Sequence, residues 1–323
     1  MEKIERVEIE AVALTDQGPA DVTPIVETIG KRLSELGYVA VPAGQPADIL
    51  LRAKCEQRKT WDGPPPSGGE ADLPDSPSRV WKGPACQLTY LLDGKKMGWW
   101  KEVRTEFVNA VEAAATARAG DPGAYAMAKL RERLEQYDFP VLLAADWGQE
   151  ARLLKLLDDQ ATQPARKVRI ISLLGEMFAT EAVPRLLQAL KSDDSAVAKA
   201  AAMALGNIGS KEGTAALIAV LKTGTPELQA AAAKGLGQLG ALHGDFSIIP
   251  PLLNALNSPD VAVKTEAAWA LGKLPDRRAY DPLHEISKTL TNVRGPDADP
   301  SKLKLKEAVY WSMKQIDTWE YLQ

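Results

Sequence analysis

Histidine and cysteine are almost missing from this chain. Its 323 residues include two of each, His243 and His284, Cys55 and Cys86. Two cysteines outside any Cys-x-x-Cys pair cannot build a zinc site unaided. With so few histidines, the usual pairing of a nucleophile with a base has little to draw on. An excess of charge of either sign is also missing, since 39 basic residues face 43 acidic ones for a net charge of −4. There is no basic footprint, so nucleic acid is not expected as a partner. No apolar run approaches the roughly 18 residues that a membrane span needs. The first residues, Met1 to Arg6, lack the apolar core of a secretory leader, which leaves either a cytoplasmic protein or a mature exported one. Hydrophobic residues at 45% and charged residues at 25% are ordinary for a globular chain, and the length predicts two domains.

What is present in abundance is repetition. From about Pro164 to Ile316 a helix–helix unit recurs, punctuated by Gly175, Gly206, Gly237 and Gly272 at intervals of 31, 31 and 35 residues. A looser copy centres on Ser312, where Glu307-Ala308 matches Glu266-Ala267. Five positions before the glycine stand Ile170, Ala201, Ala232, Ala267 and Ala308, and one before it Leu174, Leu205, Leu236, Leu271 and Ser312. Small residues at one row let neighbouring helices approach, while leucines at the other fill the space between layers. A second amphipathic helix follows each time, with rows such as Leu186-Leu187-Leu190 and Leu283-His284-Ile286 that place His284 beside the interhelical core. One such pair cannot bury both its faces, so stacking is what folds it.

These Ala-Leu-Gly units resemble the HEAT repeats, in particular the short units of phycobilisome lyases. Asp194 and Asp260, with Lys167 and Lys264, match the acidic and basic positions ahead of the repeat core, whereas Ala198 and Gln229 depart from them. The resemblance covers roughly half the chain and implies a protein-binding solenoid, with a bilin lyase or isomerase-like enzyme as the alternative.

The N-terminal part reads differently. Alternation from Lys3 to Leu14 predicts a strand, Asp21 or Thr23 caps a helix through Leu36, and strands follow at Tyr38 to Val41 and Ala47 to Cys55. The composition then turns to proline, glycine, aspartate and serine between residues 61 and 84, which predicts a long loop carrying Trp61 and Trp81. Strand character resumes at Ala85 to Leu92 and Met97 to Phe107 across Asp93-Gly94, a strong hairpin signal, and a helix is expected from Tyr125 to Tyr137. The "Ala-Asp-hydrophobic" entry at Ala47-Asp48 and the Asp93-Gly94-Lys95 hairpin ahead of Trp99-Trp100 are similar to small periplasmic domains of envelope proteins, such as the start of the Tol translocation protein and curli-secretion lipoproteins. That resemblance implies a periplasmic location. If the strands holding Cys55 and Cys86 pair, a disulfide closes the Pro-rich loop, and the other reading is two buried thiols that never meet.

The expected architecture is thus an α+β N-terminal sheet domain followed by an all-α HEAT-like solenoid of helical hairpins. The sheet domain covers residues 1–138 with its Pro-rich loop at 61–84, and the solenoid covers 139–323 with a cap at each end. Phe139 to Asp159 reads as the first cap, and an aromatic last helix with Tyr310, Trp311, Trp319 and Tyr321 as a hydrophobic plug at the other end. Gly235-x-Gly237-x-x-Gly240 copies a dinucleotide-binding fingerprint but lies inside a repeat helix, which fails that motif's strand–turn–helix context. Asp158-Asp159 and Asp193-Asp194 read as helix-flanking caps. The expectation is a non-enzymatic scaffold without a cofactor or bound metal, holding protein partners on a concave surface made by the second helices, as an assembly subunit of a larger complex. Arg185, Gln188, Lys191, Lys222, Asn254 and Lys288 flank the apolar rows as candidate contacts, with Trp61 and Trp81 as possible anchors.

Overall fold

The computed structural model describes residues 4–63, 79–295 and 298–322. The chain forms two compact units, Met1–Arg152 and Leu153–Gln323.

The first unit is built on a mixed sheet of β1 (Arg6–Thr15), β2 (Gly18–Pro19), β3 (Val39–Val41), β4 (Ile49–Gly63), β5 (Arg79–Leu92) and β6 (Lys95–Arg104). The order is β2-β1-β4-β5-β6, with β3 also beside β1. β1 pairs with β3 and β4 in parallel, so the chain must cross over between them, and α1 (Thr23–Ser34) makes the first crossover. β4, β5 and β6 form an antiparallel meander. Alternation along β4 is clean: Ile49, Leu51, Ala53, Cys55 and Gln57 are buried, while Arg52, Lys54 and Arg58 face out. The buried row meets α3 (Pro122–Gln136), which follows the short α2 (Ala110–Thr116) and packs on β1, β4, β5 and β6 as well as on α1. α3 begins where its chemistry dictates, with Asp121 accepting from the amides of Gly123 and Ala124 and Pro122 in the first turn. Between β5 and β6, Asp93 and Gly94 adopt φ of 50° and 74°, the pair of left-handed residues that a tight hairpin turn requires.

Two boundaries differ from expectation. β4 and β5 run on into the Pro-rich segment, to Gly63 and from Arg79, with Trp61 and Trp81 as cross-strand partners in the backbone register. The segment is therefore shorter as a loop than its composition suggests, because ladder hydrogen bonds to a partner far along the chain override local propensity. Its centre, residues 64–78, lies outside the described residues. The second difference is α4 (Phe139–Asp146), assigned by sequence to the helical half. It belongs to the first unit, with Phe139, Val141, Leu143 and Ala144 buried in its core. Trp147, fully buried, meets Tyr38 and Tyr90 edge to face, with ring centroids 5.2 and 5.6 Å away.

The second unit is all helical. After α5 (Glu150–Asp158) come α6 (Pro164–Glu176), α7 (Val183–Ala189), α8 (Ser195–Ile208), α9 (Lys211–Thr223), α10 (Pro226–His243), α11 (Ile249–Ala255), α12 (Val261–Lys273), α13 (Tyr280–Thr289) and α14 (Pro300–Leu322). The first helices of the pairs stack in series, α6 on α8, α8 on α10, α10 on α12 and α12 on α14. The second helices, α7, α9, α11 and α13, pack beside them as another layer. This is a helical solenoid of the kind the repeats predict. Asp194 and Asp260 cap α8 and α12, each accepting from two backbone amides at 2.8 to 3.1 Å.

The repeat glycines mark the points of closest approach. A Cβ added at Gly175 would lie 2.7 Å from Ala204 Cα, one at Gly237 2.7 Å from Ala270 Cα, one at Gly206 on the Gly235 carbonyl and one at Gly272 on Ser312 Oγ. Each glycine thus faces the next first helix, and hydrogen in place of a methyl is what admits that helix. The alanine row and the leucine row are fully buried beside it, and Ser312, which replaces the last leucine, donates from Oγ to the Ala268 carbonyl at 2.7 Å. In α14 the corresponding glycine position is occupied by Met313. Of the four aromatics of α14, Trp311 alone packs inward, against Trp269, while Tyr310, Trp319 and Tyr321 are exposed. The expected plug is one ring, because only one side of the helix has a neighbour.

Candidate partner-binding surface

The second helices supply the solvent-facing side chains that sequence singled out. Arg185 and Gln188 stand on α7, Lys191 just beyond it, Lys222 on α9, Asn254 on α11 and Lys288 on α13. Gln188, Lys191, Lys222 and Asn254 are exposed. The other two already have partners. Arg185 Nε donates to both carboxylate oxygens of Asp158, at 2.9 and 2.8 Å, and Lys288 pairs with Glu285 at 2.6 Å. Asp158 ends α5 and does not cap a helix start as sequence suggested. Exposed pairs of this kind are worth at most about 1 kcal/mol, so both cations remain exchangeable. α7 touches α9, and α9 touches α11, so the positions on these three helices share a continuous layer. Trp61 and Trp81 are on strands of the other unit.

Neither histidine sits as a ligand would. His284 is exposed, correcting its placement beside the interhelical core, and its ring stacks on Tyr280 one helical turn earlier. His243 Nε2 contacts the Asn207 carbonyl at 2.8 Å, which ties the end of α10 to α8. Among the described residues no group of three or more His, Cys, Asp or Glu could hold a metal ion, and no helix is long and apolar enough to cross a membrane. The dinucleotide-like glycines of α10 have a packing explanation. A Cβ at Gly235 would be 2.5 Å from the Ala202 carbonyl of α8, and at Gly237 2.7 Å from Ala270 of α12, so the helix is approached closely from both sides.

In the first unit, several buried polar groups pair with one another. Tyr38 donates to the side-chain Oε1 of Gln149, and Gln149 Nε2 in turn donates to the Ile4 carbonyl at 2.8 Å. Arg152 donates to the Leu36 carbonyl and lies over the Tyr38 ring, 4.3 Å from its centroid. Tyr90 donates to Asp146 at 2.6 Å. Burial pushes the pKa of both tyrosines well above the usual phenol value, and for Tyr90 the neighbouring Asp146 carboxylate adds to it. Cys55 and Cys86, directly opposite in the β4–β5 register and fully buried, are joined in a disulfide. Of the two readings open from sequence, this is the bridged one. Sequence reasoning missed the Tyr38–Gln149–Arg152 cluster, whose only signal was glutamine and arginine following a buried tryptophan.

The sequence model of the family described as HEAT repeats matches residues 150–237 and 214–294. No curated protein matches the chain. Among solved structures, an engineered protein is similar at 23% identity over 55% of this chain and 83% of that one, with a TM-score of 0.39. The complex of CpcE and CpcF of phycocyanin lyase from Nostoc sp. PCC7120 is similar at 20% identity over 66% of this chain and 95% of that one, with a TM-score of 0.37.

Proposed function

We propose that this chain, whose residues 150–294 are HEAT repeats, is a non-enzymatic scaffold that holds a protein partner on the layer of its second helices. The observation that carries this reading is the contrast between the two helix layers. The first helices spend their small and leucine rows on one another, while the second helices keep Gln188, Lys191, Lys222 and Asn254 in solvent on a continuous layer. A stack of this kind offers a wide, pre-formed surface on which binding costs little ordering entropy. The buried Cys55–Cys86 bridge supports work in an oxidising compartment, and the bacterial cell envelope, with the periplasm as the site, fits both the bridge and the hairpin features of the sheet unit.

The test is site-specific photo-crosslinking in intact cells. A crosslinker at Lys222 or Asn254 should trap a protein of discrete mass. Alanine at Gln188, Lys191, Lys222 and Asn254 together should abolish the same adduct when the crosslinker sits at Ser258. An adduct unchanged by the four alanines would end this reading.

A further inference from the structure

One charged cluster lies on the other helix layer. Lys234 of α10 and Glu266, Trp269, Ala270 and Lys273 of α12 line an open cleft of about 240 Å³. One wall is aromatic, since the half-buried Trp269 lies against Trp311 with ring centroids 4.9 Å apart. Three ammonium groups, those of Lys234, Lys273 and Lys304 from α14, act on the single carboxylate of Glu266. None of the three lysines is in a salt bridge among the described residues, and the one polar contact of Lys273 is to Gln238 Oε1 at 3.5 Å. Burial followed by the like charge of Lys234 lowers the basicity of Lys273, and burial raises the Glu266 carboxyl against the pull of the lysines. In a chain of net charge −4, this is a local excess of positive charge with too little counter-charge, next to an indole face.

We propose that the cleft binds an acidic peptide segment of a protein partner, with carboxylates set between Lys234 and Lys273 and an apolar side chain laid on Trp269. The volume suits a few side chains and not a folded domain. Charge complementarity selects the occupant, because anionic groups replace the counter-charge that Glu266 alone does not supply. The proposal rests on the scaffold reading and adds a second surface to it, on the first helices instead of the second.

The probe is a fluorescein-labelled pentapeptide of three glutamates and two leucines, titrated by anisotropy into the full chain. Saturable binding that weakens with salt is expected, and the same peptide with glutamine for glutamate should not bind. Lys234→Gln with Lys273→Gln should weaken binding roughly tenfold or more, while arginine at both positions retains it. Glu266→Gln should tighten binding, a gain that misfolding cannot imitate. The proposal is overturned by absent saturation, by equal affinity of the double glutamine variant, by unchanged or weaker affinity of Glu266→Gln, or by pyrophosphate alone competing as well as the peptide. Failure here leaves the second-helix crosslink standing, and loss of that crosslink leaves this titration intact, so the two readings fail separately.

Discussion

The two units stabilise themselves in opposite ways. The sheet unit concentrates its stability in a few long-range links: a disulfide between strands, one tryptophan between two tyrosines, and a glutamine that reaches back to Ile4. The helical unit spreads its stability over one small contact repeated from layer to layer, a glycine against the next helix. The difference teaches where damage goes. Loss of a unique link is felt by the whole sheet unit, whereas a blocked glycine disturbs one interface first, since repeat stability is nearly a sum of neighbour terms.

The sharpest way to test that contrast is Trp147→Ala. Deleting this fully buried indole should cost about 3 to 5 kcal/mol, the range for aromatic-to-alanine truncation in a core. Near-UV ellipticity and sheet-unit protection against hydrogen exchange should collapse while exchange in α8 to α12 stays slow. Equal loss in both regions would break the contrast. Removing the bridge with Cys55→Ala and Cys86→Ala comes next, at about 3 to 4 kcal/mol in the chain-entropy account for the enclosed loop. Urea unfolding should show the sheet-unit transition moving to lower denaturant with the helical one in place, and reductant should have no further effect on the variant. The smallest effect is expected from Gly206→Ala, about 1 to 3 kcal/mol, because its methyl would fall on the Gly235 carbonyl and force α8 from α10. Exchange should quicken most in those two helices, and Gly98→Ala, with nothing nearby, serves as the neutral comparison.

The same contrast decides what could be read from sequence. The solenoid was legible because its contacts repeat at a fixed interval, so Gly175, Gly206, Gly237 and Gly272 announce themselves before any coordinate is known. The individual strands were legible from alternation, and the Asp93-Gly94 turn from its composition. What was hidden depends on partners remote along the chain. Alternation does not fix register, so it left open whether Cys55 meets Cys86. The prolines around residues 64–66 masked strands held by each other. α4 is apolar all round, and a helix without a polar face does not say which unit it enters. Of the candidate contacts, exposure was legible at Gln188, Lys191, Lys222 and Asn254, but the partner of Arg185, and the lysine cleft around Glu266, required helix positions that no single repeat reveals.

Met313 carries a last consequence. A row of glycines that welcomes each following helix would, if left open at its end, welcome one from another molecule, and head-to-tail addition of that kind builds filaments without limit. A thioether chain at this position of α14 fills the space that the glycines leave open, so a helix laid on that face would have to sit farther out than the first five sit from one another.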